Sequence, residues 1–520
     1  MKIKSVMVNR FRGYDRPVRV EFEDLSVLVG RNDIGKSTLL EALDFFFNEG
    51  KGCVKLDKDD INKTCLANGE DCIEIGVEFS DVPARVLIDA ANETSLQDEF
   101  LLTSSGTLQI IKRYPAAGKE KVFIRAHHPV NPECKDLLLK KIQDLRKILD
   151  EQNLDCADKT RSAELRKAIW NGQAELLMED CEIELAKLDA KNVWEQLKAY
   201  MPLYTLFQSD RKNADSDDEV QDPMRIAVKE ILSDPNIQAN LAAVAETVKQ
   251  RLEQVATRTL TKLAELNPTI ANSLEPRLPN PESLKWADVF KSVSIAGDED
   301  IPINKRGSGV KRLVLISFFR AEAERRQAEA NLPNIVYAIE EPETSQHPDH
   351  QRGLADALIA LSEAPRTQVL LTTHSPEIVK RLNFDNLLMV SDNPIEKILR
   401  VLQHELPYPS LNEVNFAAFG EASFEYHNEL YGFIEEEGLL ADYRRNKPLR
   451  GYLKVVKTGA VEQQIVLTEY IRHQIHHPEN TQNPRFTSEE LTESIQSMRN
   501  FISAQKAESM VAPAEIQSGL

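Results

Sequence analysis

The pattern of apolar and polar positions near the start of the chain predicts β-structure followed by one helix. Val18, Val20 and Phe22 alternate with polar residues, and Leu25–Gly30 has the apolar composition of a buried strand. The next segment, STLLEALDFFFN, is predicted to be a helix that stops at Glu49–Gly50, since glycine favours a helix C-terminus. Three more strands are predicted in the segments CIEIGVEFSD, TLQIIKRYP and KVFIRAHHP.

The apolar spacing becomes helical from about Lys135. Leu138, Ile142, Leu145 and Leu149 lie at helical spacing, and a second helical run is AELRKAIWNGQAELLMEDCEIELAKLD. Together the two runs predict an antiparallel helical hairpin, a short coiled coil whose arms of ~20–30 residues would reach only ~30–45 Å. A globular helical insertion without supercoiling fits the same pattern.

The second half of the chain alternates helix and strand before becoming helical. Residues 307–400 read as helix, strand, helix, strand, which is typical of an α/β fold. We therefore predict an α/β head whose two lobes are residues 1–130 and 286–404. A helical insertion at 131–285 splits this head, and an all-helical domain at 405–520 follows it.

Composition narrows the class of protein. A length of 520 residues predicts about three compact units. The chain has no run of 18 apolar residues and no signal peptide pattern, so we expect a cytoplasmic protein without membrane contact. Its six cysteines form no CxxC pair, which favours free thiols over a zinc site. The net charge of −19 argues against a surface that coats nucleic acid, although a local basic groove stays open.

The segment Gly30–Ser37, GRNDIGKS, matches the phosphate-binding pattern GxxxxGK[ST]. A chance match is disfavoured because a predicted strand precedes the segment and a predicted helix follows it. We expect backbone N–H groups to face the phosphates of ATP, Lys36 to reach the β- and γ-phosphates, and Ser37 to hold Mg²⁺. The predicted nucleotide-binding residues here are Gly30, Asn32, Gly35, Lys36, Ser37 and Thr38.

Two later strands end in groups suited to ATP hydrolysis. The strand in NIVYAIEEP ends in Glu340, a candidate Mg²⁺ ligand, and Glu341, which is placed to polarise the attacking water. The strand in QVLLTTHSP ends in His374, which could contact the γ-phosphate. Either motif alone is commonplace, and a histidine after a strand is more often structural.

The segment KRGSGVKRL is a glycine-rich turn that opens a helix. Ser308 and the N–H groups after it could bind an anion, while a plain helix cap is the simpler interpretation. The order of all these motifs, together with the opening VNRFRGY, resembles the RecF/SMC/OLD branch of ABC ATPases over about residues 1–130 and 290–400.

This resemblance implies roles for individual residues. Glu340 and Glu341 would serve the metal and the water, His374 would be the switch histidine, and an early basic residue, Arg10 or Arg12, would lie near the nucleotide. Ser308 and Gly309 would form the signature that meets ATP across a dimer or a higher homo-oligomer. Arg211 is a further candidate from LYTLFQSDR, and Gln208 is a candidate for the Q-loop glutamine.

The departures from the family bear on the biological role. OLD and Gabija-type nucleases carry a TOPRIM domain after this head, yet residues 385–520 contain no Asp-x-Asp pair. The chain therefore resembles ATPase subunits of two-gene anti-phage systems, PARIS-type and Septu-type. These sense infection, through a trigger such as a phage protein, and control a partner nuclease toxin. A RecF-like DNA-repair ATPase is the alternative.

A last motif lies near the C-terminus. Arg472 and His477 form an Arg-x4-His arrangement that resembles the active motif of HEPN ribonucleases. Pro478 disfavours helical backbone at His477, so a helix should end there. A ribonuclease site, a HEPN-like domain used for docking and a helix end rich in basic residues all stay open, and the first would make the chain a self-contained ATPase–ribonuclease.

Overall fold

The structure is a computed structural model of the 520-residue chain. It describes residues 1–31, 34–50, 52–89, 92–185, 190–208, 228, 230–247, 249–250, 308–328, 333–343, 347–391, 398–400, 410–456 and 459–511. Two compact units divide the chain. The first unit is Met1–Leu25 with Ser37–Leu371, and the second unit is Ser26–Lys36 with Thr372–Leu520. None of the helices in the described ranges is both long and apolar enough to cross a membrane.

The first unit contains a six-stranded antiparallel sheet. Its strands, in sheet order, are β2 (Val18–Glu21), β1 (Lys2–Asn9), β4 (Cys72–Ser80), β7 (Leu108–Pro115), β8 (Lys121–Pro129) and β9 (Met178–Glu184). The alternating apolar residues of β4 are fully buried, as Ile73, Ile75, Val77 and Phe79 show. The strands predicted in this region are therefore confirmed. A small separate hairpin consists of β5 (Val86–Asp89) and β6 (Asn92–Thr94).

Helix α1 (Lys36–Asn48) follows the glycine-rich segment and packs through its aromatic face. The ring of Phe45 meets Tyr114 of β7 edge-on, with ring centroids 4.9 Å apart. Phe47 stacks on Tyr204 of strand β10 (Leu203–Gln208) at 5.3 Å. The predicted helix end is confirmed, because Glu49 and Gly50 both have positive φ.

The predicted long helical hairpin is wrong. Its first arm is the ten-residue helix α3 (Ile142–Glu151) and its second is the ten-residue helix α4 (Ser162–Asn171). A later part of the second run, Met178–Glu184, is strand β9, which pairs with β8. Its glutamate-rich composition suits a helix locally, and pairing with a distant strand overrides that preference. The two helices pack in a small cluster around Trp170, as the globular alternative expects.

The α/β succession predicted for residues 307–400 is confirmed in the described ranges. It consists of α6 (Ser308–Ala328), β11 (Ile335–Glu340), α7 (Pro348–Ser362) and β12 (Thr367–Thr373). β10 pairs in parallel with β11, and the N–H of Ile335 donates to the carbonyl of Arg366 just before β12. Two further helices of the first unit are α2 (Lys63–Ala67) and α5 (Ala190–Lys198).

The second unit contains β3 (Leu25–Val29) from Ser26 onward, and β12 enters it at Thr372. β13 (Leu387–Val390) pairs in parallel with β3 and antiparallel with β14 (Ile398–Arg400). The short helix α8 (Pro376–Val379) follows His374.

The all-helical prediction for residues 405–520 is wrong in one place. The helices there are α9 (Leu411–Phe419), α10 (Phe424–Glu436), α11 (Leu440–Arg444), α12 (Leu467–His476) and α13 (Ser488–Val511). Between α11 and α12 the chain forms an antiparallel hairpin of β15 (Leu449–Val456) and β16 (Gly459–Val466). Its two strands are rich in Val, Ile and Tyr, which favour strands. The helices share a core that includes Tyr426, Ile471 and Ile495.

Candidate functional site

Gly30 follows β3 directly, in a conformation that residues with side chains rarely adopt, with φ of +153°. A Cβ atom at this position would lie 2.7 Å from the carbonyl oxygen of Val390 on β13. Gly35 also has positive φ, at 104°. Glycine is therefore required by backbone geometry at Gly30, and both glycines let the segment turn tightly into α1.

Lys36 is almost fully buried, at 3% exposure, and its side chain folds back over the glycine-rich segment. Its Nζ donates to the carbonyl oxygens of Gly30 at 2.9 Å and Arg31 at 2.7 Å. Helix α1 begins at this residue, and its first turn contains no acidic side chain. Ser37 and Thr38 thus lie at a helix N-terminus whose N–H groups and dipole favour an anion.

In the first unit, the carboxyl ends of β10 and β11 bring Gln208 and Glu340 together as Cα partners of the parallel ladder. Gln208 Nε2 donates to Glu41 Oε1 of α1 at 2.9 Å. The second oxygen of Glu41 accepts from the guanidinium of Arg12. Arg12, Glu41, Gln208 and Glu340 form what we call the strand-end cluster.

Two residues that contact this cluster or belong to it, Glu41 and Asp60, were not predicted from the sequence. Glu41 lies four residues after Ser37, so the two share one face of α1, and that spacing is a signal that could have found it. Asp60 accepts from Arg12 Nε at 2.7 Å and gives no local signal, since it comes from a separate short 3-10 helix, Lys58–Asp60. A further tie fixes α1, because the buried hydroxyl of Tyr204 donates to the carbonyl of Leu40 at 2.6 Å. Burial raises the pKa of Tyr204 far above its ordinary range, which keeps this donor protonated.

Of the two early arginines, Arg12 joins the strand-end cluster and Arg10 does not. Arg10 Nε pairs with Glu70 at 3.2 Å, and one terminal nitrogen donates to the carbonyl of Cys72. Arg10 and Arg12 have φ of 60° and 47°, so the backbone here is held in the left-handed region. The side chains of Arg10 and Arg12 thus contact different carboxylates.

Glu341 follows β11 with φ of 40°, an uncommon conformation for a non-glycine residue. Its side chain is half-buried. Such backbone strain persists only where surrounding structure enforces it, and it often accompanies a functional position. Glu340 ends β11 and Glu341 follows it, so two carboxylates are adjacent at the end of this strand.

His374 lies directly after β12 and is half-buried. The next residue fixes its backbone from both sides. Ser375 N–H donates to Thr373 Oγ1 at 3.0 Å, and Ser375 Oγ accepts from the N–H of Ile378 at 3.3 Å as the cap of α8. His374 thus lies at a turn between β12 and α8 that these hydrogen bonds fix.

Some predicted site residues lie at or beyond the limits of the description. Helix α6 begins at Ser308 and continues through Gly309, which agrees with the predicted turn into a helix. Asn32 and Arg211 lie outside the described residues.

The Arg-x4-His pair lies at the end of α12. The helix stops at His476, and His477 has φ of −126° and ψ of 63°, so the predicted helix end is confirmed. Arg472 pairs with Glu435 at 3.2 Å and lies over the ring of Tyr431 at 4.0 Å, whereas His477 Nδ1 contacts Glu479 at 3.2 Å. Within residues 410–456 and 459–511 no hydrogen bond or ion pair joins Arg472 to His477.

The model of the family described as AAA ATPase domain matches residues 1–379. The chain belongs to this family. The prediction of an ABC-type ATPase of the RecF/SMC/OLD branch is confirmed, and so is ATP hydrolysis as the enzymatic activity.

This AAA ATPase is 21% identical over 413 residues to Endonuclease GajA of Bacillus cereus (strain VD045). The match covers 77% of the chain and 59% of GajA, so the chain spans less than two thirds of the length of that relative.

Solved structures of SMC heads are also similar. The SMC head domain from Thermotoga maritima is 14% identical, with coverage of 77% of this chain and 100% of that one and a TM-score of 0.31. The SmcHead bound to the C-winged helix domain of ScpA is 14% identical, with coverage of 77% and 97% and a TM-score of 0.37.

The donors found in this ATPase fit a nucleoside triphosphate with Mg²⁺. Lys36 supplies a buried ammonium beside the turn, Ser37 supplies a hydroxyl at a helix N-terminus, and Glu340 supplies a carboxylate at a strand end. When bound, Mg²⁺ would neutralise the charge that develops on the phosphates. Lys36 would hold the phosphate oxygens, and Ser37 and Glu340 would hold the metal.

Proposed function

We propose that this ATPase is a subunit of an anti-phage defence system that senses infection and controls a partner nuclease. The observation that carries the proposal is the match to an endonuclease, GajA, over 413 residues. The sequence after the head, residues 385–520, contains no Asp-x-Asp pair. The described part of that region contains the antiparallel pair β13–β14, a helical core and the β15–β16 hairpin. The proposal therefore places no nuclease chemistry in residues 385–520.

ATP would act as the switch in this proposal. Lys36 binds the phosphates, Glu341 polarises the attacking water and His374 contacts the γ-phosphate. Hydrolysis therefore changes the phosphate groups that these side chains contact. Ser308 and Gly309 would complete the site from a second copy. Mixing inactive Lys36→Ala chains with inactive Ser308→Arg chains should then restore part of the hydrolysis, because each mixed dimer contains one intact site.

The test of the defence role is phage plating on cells that carry the gene for this chain together with its neighbouring genes. Wild type should protect, and Lys36→Ala should lose protection. Arg31→Ala is the matched control, because it removes one exposed positive charge from the same loop and should protect like wild type. Equal protection by wild type and Lys36→Ala would overturn the role of ATP in defence. Lower survival of Lys36→Ala cells than of wild-type cells after DNA damage, with no difference in phage plating, would favour the DNA-repair alternative.

A further inference from the structure

The β15–β16 hairpin has two outer edges, and the rest of the fold contacts the backbone of the β15 edge. On the β15 edge, the N–H of Leu453 donates to Asn483 Oδ1 at 2.8 Å. The carbonyl of Leu453 accepts from Asn480 Nδ2 at 2.9 Å and from Asn483 Nδ2 at 3.0 Å. Two asparagines from the loop after α12 thus satisfy the backbone of this edge at its middle.

The geometry of the hairpin fixes what the other edge presents. Leu453 lies directly opposite Glu462. In an antiparallel ladder, the two residues of such a pair direct their backbone groups either both inward or both outward. Because the N–H and C=O of Leu453 point away from β16, those of Glu462 point away from β15. Ala460 and Gln464, two residues to either side, share this outward orientation.

The outer edge of β16 has no strand beside it in the part of the chain that the structure describes, where its one ladder partner is β15. The residues from Gly459 to Gln464 are exposed. Exposed edge strands in native proteins are commonly protected by charged side chains, especially lysine, by proline or by a bulge. The β16 sequence GAVEQQIV contains one charged residue, Glu462, and neither lysine nor proline, and its register with β15 is continuous.

The sequence of β16 is complementary to itself when two copies run antiparallel about Gln463. In that register Val461 lies opposite Ile465 of the second copy, and Glu462 lies opposite Gln464. Both cross-strand contacts occur twice by symmetry, one apolar and one between a carboxylate and an amide. A shift to a centre at Glu462 would instead place two carboxylates face to face, which is unfavourable.

We propose that β16 pairs edge to edge with β16 of a second copy of this chain, forming a four-stranded intermolecular sheet. Val461 is 50% exposed in the single chain and gains a partner in Ile465 of the other copy. A two-stranded hairpin is only marginally stable, and three or more strands stabilise it. This contact requires no nucleotide and is separate from any pairing of ATPase heads.

A cysteine placed on the twofold axis tests the register directly. In Gln463→Cys the two thiols would lie at a non-hydrogen-bonded pair, where Cα atoms are ~4.5 Å apart, within the range for a disulfide. Mild oxidation of the nucleotide-free protein should therefore give a crosslinked dimer. Val461→Cys is the matched control, because its two thiols would be about four residues apart along the strands, or ~13 Å. Wild type, with its six native cysteines, sets the background.

Charge substitutions at the exposed residue Gln464 test the same contact without a crosslink. Gln464→Glu places a carboxylate opposite Glu462 twice, so self-association should weaken roughly tenfold, whereas Gln464→Lys should strengthen it by a similar factor. Sedimentation of nucleotide-free protein in the Lys36→Ala background measures this without head pairing. Unchanged thermal unfolding of the monomer shows that each variant folds. No crosslink at Gln463→Cys, or equal association of Gln464→Glu and Gln464→Lys, overturns the proposal. Either result would leave the edge to an extended segment of another protein or to solvent.

Discussion

The strand-end cluster and the Arg-x4-His region use charged side chains in different ways. In the cluster, Arg12, Glu41 and Gln208 come from three distant segments, and the side chain of Glu41 is 13% exposed. At the end of α12, Arg472 and His477 each contact an exposed carboxylate, with Glu435 at 52% and Glu479 at 73%. Partly buried networks depend on every member, whereas exposed ion pairs contribute little. The comparison shows that a short sequence motif is stronger evidence for a functional site when side chains from distant segments of the chain meet there.

The largest stability effects should come from the backbone beside the glycine-rich segment. Gly30→Ala forces a side chain into the left-handed region and against the carbonyl of Val390, so it should cost about 2–4 kcal/mol. Gly432→Ala on α10 is the matched control, since a Cβ there meets nothing within 4 Å. It should stabilise the protein by about 0.5–1 kcal/mol, because alanine is the better helix former. Urea unfolding of both variants measures the difference, and effects of the same sign would contradict the account.

The second unit should lose stability in mild acid through His427. This residue is fully buried, and its Nε2 lies 3.0 Å from Ser494 Oγ. Burial, with help from Arg472 and His476, lowers the pKa of His427 from 6.5 to about 4. The unfolded chain therefore binds the proton more tightly. Stability is fully present above pH 6.5 and falls by roughly 3 kcal/mol as the pH approaches 4.

His427→Gln keeps a donor toward Ser494 and removes the titration, so its unfolding free energy should be flatter between these pH values. Equal slopes for wild type and variant, measured by urea unfolding from pH 7 to pH 4, would show that another group controls the acid response.

Patterns over a few residues predicted many strands and helices of the head, but little of the strand pairing and side-chain contact between distant segments. The glycine-rich segment, β4, α1 and the strand ending in Glu340 follow from apolar spacing and punctuation over a few residues. β9 and the β15–β16 hairpin were predicted as helix, since strand pairing is decided by a partner elsewhere in the chain. Asp60 was missed for the same reason, because its tie to Arg12 depends on how two loops fold together.

A pair of matched substitutions in the first unit sharpens the contrast between buried and exposed charges. Glu41→Gln keeps the shape but turns an amide toward Arg12 or Gln208, so it should cost about 1–3 kcal/mol. Glu70→Gln changes the exposed partner of Arg10 in the same way and should cost no more than about 1 kcal/mol. Thermal and urea unfolding would compare them, and a larger loss for Glu70→Gln would reverse the ranking of the two arginines.

The smallest effects should come from the Arg-x4-His pair. The double change Arg472→Ala with His477→Ala removes exposed ion pairs and one contact with a tyrosine ring, so stability should fall by about 1 kcal/mol or less. ATP hydrolysis should stay at the wild-type rate. Cleavage of purified RNA by wild type, and its loss in the double variant, would make this region a catalytic site instead.

The central claim is that the chain binds ATP through Lys36 and hydrolyses it through Glu341. Phosphate release and equilibrium nucleotide binding, measured on the same preparations of wild type, Lys36→Ala and Glu341→Gln, test it most directly. We expect Lys36→Ala to lose tight binding, and Glu341→Gln to bind ATP as wild type does while turnover is lost. Wild-type turnover in Glu341→Gln, or unchanged ATP affinity in Lys36→Ala, would contradict the claim.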